Sequence, residues 1–286
     1  MTRWGIINDN GRKTLTDLVI DFVLPCNIIE SFVIKLNMQI INACIAIFIV
    51  SVGIQLLAVV VGRFFYPNCD TKEKAVLKYA TMVSNAGFMG NPVVLGLYGT
   101  KGLLYASIYL IPQRILMWSY GITCFTNKPG KKGVVKKLIT HPCIIAVIIG
   151  MILMITQVKI PEVIMTPIST AGKCTTALSM IVIGSILSGV KIREIILQKT
   201  TWFTIVRLLI FPGIVLMCCL LLNVDSLVTQ VATVLSGMPA ATTTALLADK
   251  YDGADEKFAV KIVFLSTIMS VITIPLLCIV MGAVIK

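Results

Sequence analysis

Two polar runs interrupt otherwise apolar stretches of this 286-residue chain: Ser84-Asn85-Ala86-Gly87-Phe88-Met89-Gly90-Asn91-Pro92 and Ser236-Gly237-Met238-Pro239. Their residue types suit backbone that has left a helix. Glycine accepts dihedrals closed to other residues, and proline starts a helix more readily than it continues one. A helix that begins beside such an interruption has unpaired N–H groups and roughly half a positive charge at its tip, which is the chemistry of anion binding. Asn85 and Asn91 add side-chain amides, and Ser236 and Thr242 add hydroxyls, although hydroxyls in apolar helices often only bond back to a helix carbonyl. Arg114 stands about twelve residues into a further apolar stretch, where a guanidinium either pairs a carboxylate bidentately or neutralises a buried acid.

The elements that must position these groups are membrane helices. With 57% hydrophobic residues, 13% charged and a mean hydropathy of +0.94, the chain is an all-α integral membrane protein. Nine stretches are long enough to span: 15–36, 39–62, 75–98, 102–125, 138–158, 163–190, 201–222, 227–248 and 258–285. Each polar run falls inside one of them. An unpaired backbone group at that depth costs several kcal/mol, so such a break survives only against protein or a water-lined cavity. Matched breaks in two halves of one chain point to a transporter's substrate site.

The net charge of +12 is a topology signal and does not indicate nucleic acid. With the loop bearing Lys128, Lys131, Lys132, Lys136 and Lys137 taken as cytoplasmic, alternation places seventeen Lys and Arg on that side and four, Lys35, Lys101, Lys159 and Lys286, outside. The N-terminus is then cytoplasmic and the C-terminus external, in a multi-pass protein of the cell membrane touching anionic lipid. The nine cysteines include no Cys-x-x-Cys pair and read as small packing residues, and His141 beside Pro142 reads as helix-start chemistry. No metal, haem or P-loop constellation is present, so no cofactor is expected.

Stretches one to four repeat as six to nine, each set having its third member broken. Pro92 lies 17 residues after Ala75 and Pro239 12 after Leu227, so both breaks sit near mid-depth in spans of opposite direction. Half-helices are expected to begin at Val93 and Ala240. Repeats of five spans each would enter the membrane in opposite senses, an inverted-repeat plan. The fold class expected is therefore an inverted-repeat transporter with two crossed broken helices.

The runs Asn85 to Pro92, Gly237 to Ala245 and Ile262 to Thr267 resemble the auxin efflux carrier family, whose bacterial members include malate and malonate permeases. The resemblance covers essentially the whole chain. It implies ten helices in two inverted repeats, 1–137 and 138–286, with nine spans here and the family's first helix expected ahead of Met1. It further implies a dimerising scaffold, about 14–37 and 138–190, and a transport part, about 38–127 and 199–286. Asn85, Asn91, Pro92, Met238 and Pro239 would line the substrate site, and the cargo would be a small organic anion. Ala177 stands where the family commonly has proline, whereas Leu24-Pro25 keeps the equivalent pair.

The expected activity is gradient-driven alternating-access transport of malate or another carboxylate, with Na+ or H+ as coupling ion and no ATP. An inactive or truncated relative, or a cation/proton antiporter on the same architecture, is the alternative; an intramembrane enzyme lacks any Ser/Lys, Asp/Asp or His-Glu-x-x-His arrangement. Arg207, Lys173 and Lys261 read as snorkelling side chains. Glu30, beside Pro25 and Asn27, reads either as an ion-coupling acid or as a structural one.

Overall fold

The computed structural model describes residues 9–33, 37–66, 69–125, 140, 142–187, 198–250 and 254–285. The basic loop at 128–137, His141 and Arg193 lie outside the described residues. Each of the nine apolar stretches contains helix. Helix α1 runs through Asp9–Leu18, Val19–Val23 and Leu24–Phe32, and α2 is Met38–Phe64. Helix α3 is broken into α3a, Thr71–Met82, and α3b, which enters through Ala86–Gly90 and continues over 91–98. Gly99, at φ 64 and ψ −160, divides α3b from α4, which occupies 100–116, Met117–Gly121 and Ile122–Phe125. Only glycine adopts that backbone readily.

In the second half α5 is Pro142–Thr156, α6 is Glu162–Leu187, and α7 runs through Gln198–Ile205, Val206–Ile210 and Phe211–Leu221. Helix α8 is broken into α8a, Ser226–Ser236, and α8b, Thr243–Lys250, and α9 is Glu256–Val284.

Polar side chains start the helices. Asn37 accepts the Ile40 N–H at 2.8 Å, Asp225 accepts those of Leu227 and Val228, Asp255 accepts that of Phe258, and Asp70 with Glu73 forms a capping box on α3a. Proline sets a second pattern. Single π turns at Val19–Val23, Ala86–Gly90 and Val206–Ile210 each end two residues before a proline, at Pro25, Pro92 and Pro212. A proline has no N–H and clashes with the carbonyl four residues back; widening the preceding turn by one residue relieves both problems without ending the helix.

Large apolar side chains face outward. Ile45, Ile49, Leu56 and Val60 form a stripe on α2, each more than half exposed, and Ile148, Ile152 and Ile155 continue one on α5. Polar atoms turn inward: Ser51 donates from α2 to the Tyr109 carbonyl on α4 at 2.6 Å. That inversion of the usual soluble arrangement suits helices solvated by lipid. Helices α1, α5 and α6 pack together. Phe32 fills the space over Gly150, Asn27 donates to the Gly172 carbonyl at 2.7 Å, and Ser169 donates to Glu30 at 2.7 Å.

Candidate functional site

The two broken helices meet at their breaks. The Asn85 N–H donates to the Pro239 carbonyl at 2.8 Å, the Ala241 N–H donates to the Val83 carbonyl at 3.1 Å, and Ser84 and Ala240 form an antiparallel bridge. Backbone polar groups left open by one break are thus closed by the other, which answers the cost of interrupting a helix in hydrocarbon. The expected crossing is present. Its helix starts differ from those the sequence suggests: the half-helices begin at Ala86 and Thr243, not at Val93 and Ala240. The π turn ahead of Pro92 extends the first by several residues. The second is delayed because Ala240 stays extended to pair with Ser84, while its N–H finds the Ser266 hydroxyl at 3.2 Å.

A cavity of about 120 Å³ lies against the crossing. Both breaks contribute to it, through Ser84, Asn85 and Gly87 on one side and Thr242 and Thr243 on the other, with Gln113 and Arg114 from α4. Most of the remaining wall is apolar, from Ile20, Leu24, Phe88, Leu110 and Met117, with Thr16 as a further polar group. Among the described residues that line it none is Asp or Glu. The Arg114 side chain is only 7% exposed and its Nη1 has no hydrogen-bond partner among the described residues. A Cβ added to Gly87 would stand 3.5 Å from its Nη2, so the guanidinium lies against the tip of α3b. Met89 is the first residue of that tip to donate within the turn, to the Asn85 carbonyl at 3.0 Å; the N–H groups of Gly87 and Phe88 precede it on the cavity wall. A buried guanidinium with an open donor, beside a helix N-terminus, is set for an anion.

The residues singled out in the sequence divide into two groups. Asn85, Thr242 and Arg114 line the cavity. Asn91, Pro92, Ser236, Met238 and Pro239 are buried in the packed crossing and do not line it. Ser236 bonds back to the Thr233 carbonyl at 2.8 Å, and Met238 packs against Gly90. Asn91 keeps both amide atoms without a partner among the described residues, as does the Asn85 Nδ2.

The sequence pattern passes over Gln113 and Ser84. The Gln113 Nε2 donates to the Ser84 carbonyl at 2.7 Å, and the Ser84 hydroxyl donates to the Gln113 Oε1 at 3.0 Å. This reciprocal pair ties α4 to the first break and so fixes the neighbouring Arg114. A lone amide in an apolar span, adjacent to an arginine, was the signal for it.

Arg207 corrects an expectation. It does not snorkel: it is 2% exposed, its Nη1 donates to the Thr81 carbonyl at 3.3 Å, and its guanidinium lies 5.0 Å from the centre of the Phe211 ring. Thr81 is in the last turn of α3a, where the break frees carbonyls and the helix dipole favours a cation. Lys173 is exposed and Lys261 half-buried.

Helices with outward apolar stripes, two broken and crossed at a buried cationic cavity, define a multi-pass membrane transporter. A family model described as "Membrane transport protein" matches residues 1–135 and 131–278, and the chain belongs to that family. Similar proteins include an uncharacterized transporter of Methanocaldococcus jannaschii, 25% identical over 283 residues that span 96% of this chain and 91% of the relative. An uncharacterized transporter of Methanothermobacter thermautotrophicus is 25% identical over 276 residues, 95% of this chain and 90% of the relative.

Proposed function

We propose that the protein carries small organic anions across the cell membrane by alternating access, with the carboxylate held by Arg114 in the cavity between the breaks. The observation that carries this reading is the open guanidinium donor beside the α3b tip. The walls refine the cargo. One guanidinium satisfies one carboxylate, and apolar side chains make up most of the rest, so a monocarboxylate with an apolar body suits the cavity better than malate or malonate. A lining without a carboxylate disfavours the cation/proton antiporter alternative. A proton or sodium gradient supplies the driving force in this reading.

The packing of α1 with α5 and α6 supports a scaffold at about 14–37 and 138–190 that dimerises, with about 38–127 and 199–286 as the moving part. In this division Glu30 is structural, because Ser169 of the same unit holds it. The charge bias supports an N-terminus in the cytoplasm and a C-terminus outside. Counterflow in proteoliposomes tests the reading, using labelled isovalerate, acetate, malate and malonate against an inward proton or sodium gradient. Isovalerate exchange that depends on Arg114 supports it; no movement of any of the four acids overturns it.

A further inference from the structure

A second cavity, of about 330 Å³, opens where α3a begins. Its walls are Thr71, Lys74 and Lys78 of α3a, Tyr120, Thr123 and Cys124 of α4, and Cys69 in the preceding turn. Lys74 and Lys78 are one helical turn apart and point to the same space. Neither has an ion-pair partner among the described residues. The neighbouring acids are already engaged: Lys199 reaches the Glu73 Oε2 at 2.5 Å, and Asp70 caps the helix. Among the described residues, no acid is left to compensate the two cavity lysines.

This cavity and the Arg114 cavity lie along the same two helices. Gln113, Arg114 and Met117 of α4 face the inner one, and Tyr120, Thr123 and Cys124 face the outer one. Between them stands Tyr79, fully buried. Its ring packs on Gly121, where an added Cβ would come within 2.8 Å, and lies 4.9 Å from the Phe125 ring. Its hydroxyl donates to Thr243, a wall of the inner cavity, at 3.3 Å.

The geometry points to an anion vestibule at Lys74 and Lys78 that feeds the Arg114 cavity through a partition formed by Tyr79 and latched on Thr243. The vestibule gathers carboxylates electrostatically, raising their local concentration before the latch opens. It rests on the carrier reading of the inner cavity and adds the route of entry from the face that the charge bias assigns to the cytoplasm.

Native cysteines report on both claims. Cys69 and Cys124 line the vestibule and Cys143 lines the inner cavity, so labelling by anionic and cationic methanethiosulfonates, mapped by peptide mass spectrometry, measures charge and access at each. In phosphatidylcholine vesicles the anionic reagent is expected to modify Cys69 and Cys124 about tenfold faster than the cationic one, a ratio that falls toward one in Lys74→Gln/Lys78→Gln and in high salt. Tyr79→Phe keeps the ring and removes the latch; it is expected to speed Cys143 labelling about twofold to tenfold, the range of one hydrogen bond.

Equal rates for the two reagents, or a ratio that survives loss of both lysines, overturns the vestibule. Unchanged Cys143 labelling in Tyr79→Phe overturns the partition. Loss of the anionic preference when phosphatidylglycerol is added assigns the pocket to lipid headgroups instead, and also overturns it. Labelling needs no transport, so these failures are separate from a wild-type protein that moves no acid, which overturns the carrier reading alone.

Discussion

The Asn85 N–H donates to the Pro239 carbonyl across 2.8 Å, so each broken helix completes the other's backbone. The crossing closes only if the two chain segments approach to strand distance, and Gly90 permits that approach. A Cβ there would stand 2.7 Å from the Leu235 Cδ2 and 3.2 Å from the Met238 Cγ. Leu235 is flexible enough to yield to a single methyl, whereas a branched side chain also meets Met238. Gly90→Val is expected to cost about 1–3 kcal/mol as overpacking. A thermal melt in detergent checks it, with Gly90→Ala falling between Val and wild type.

Gln113 and Ser84 exchange two hydrogen bonds inside the protein; loss of the Gln113 amide takes the donor from the Ser84 carbonyl, while the Ser84 hydroxyl keeps a second acceptor, the Leu235 carbonyl at 3.4 Å. A double-mutant cycle of Gln113→Leu and Ser84→Ala is expected to show a coupling of about 0.5–3 kcal/mol in unfolding free energy. The Ser84→Ala change alone removes only the hydroxyl half, because the Ser84 carbonyl still accepts from Gln113. The Gln113→Leu change alone is therefore the more damaging, and an additive cycle contradicts the reciprocal pair.

The breaks were legible because glycine, asparagine and proline are too costly in an apolar stretch unless the helix is interrupted there, and the spans were legible from hydropathy alone. The register of the crossing was not. Whether Ala240 is helical or extended depends on a partner far away in the chain, Ser84, which no local pattern announces. Arg207 departs from its expected place for a related reason: depth along a span suggests snorkelling, but the carbonyl that holds the guanidinium belongs to another helix. Of the site, Asn85, Thr242 and Arg114 were visible by type. Asn91 and Met238 share the types of cavity residues yet lie buried outside its lining, Met238 packed against Gly90.

Arg114 is buried with an open donor, so function and stability should respond to it in opposite directions. Arg114→Gln is expected to raise the KM for isovalerate counterflow about tenfold to a hundredfold, the worth of a charge-assisted hydrogen bond of about 1.5–3 kcal/mol. The melting temperature is expected to hold or rise, since a buried charge that meets no carboxylate in the cavity lining has been removed. Arg114→Lys keeps the charge without the planar fork and falls between. A variant that loses both folding and transport would instead make Arg114 a structural residue.

Arg207 carries the same charge at a similar depth, and its surroundings reverse the expectation. Its Nη1 is committed to the Thr81 carbonyl at the end of α3a, and its face is covered by Phe211. Removing it leaves a buried helix-end carbonyl without a donor, at about 1–3 kcal/mol, and a desolvated cation–π contact is worth about 2 kcal/mol more. The gain from relieving its partly unsatisfied Nε works against these losses, but this guanidinium is held on two sides, whereas Arg114 keeps an Nη1 without a partner among the described residues. Arg207→Met, which preserves the volume of the stem, is therefore expected to lower the melting temperature, and Arg207→Lys to lower it less by keeping a donor near Thr81. Melting of the Met variant at or above the wild-type temperature would show that the cation is not what closes the end of α3a.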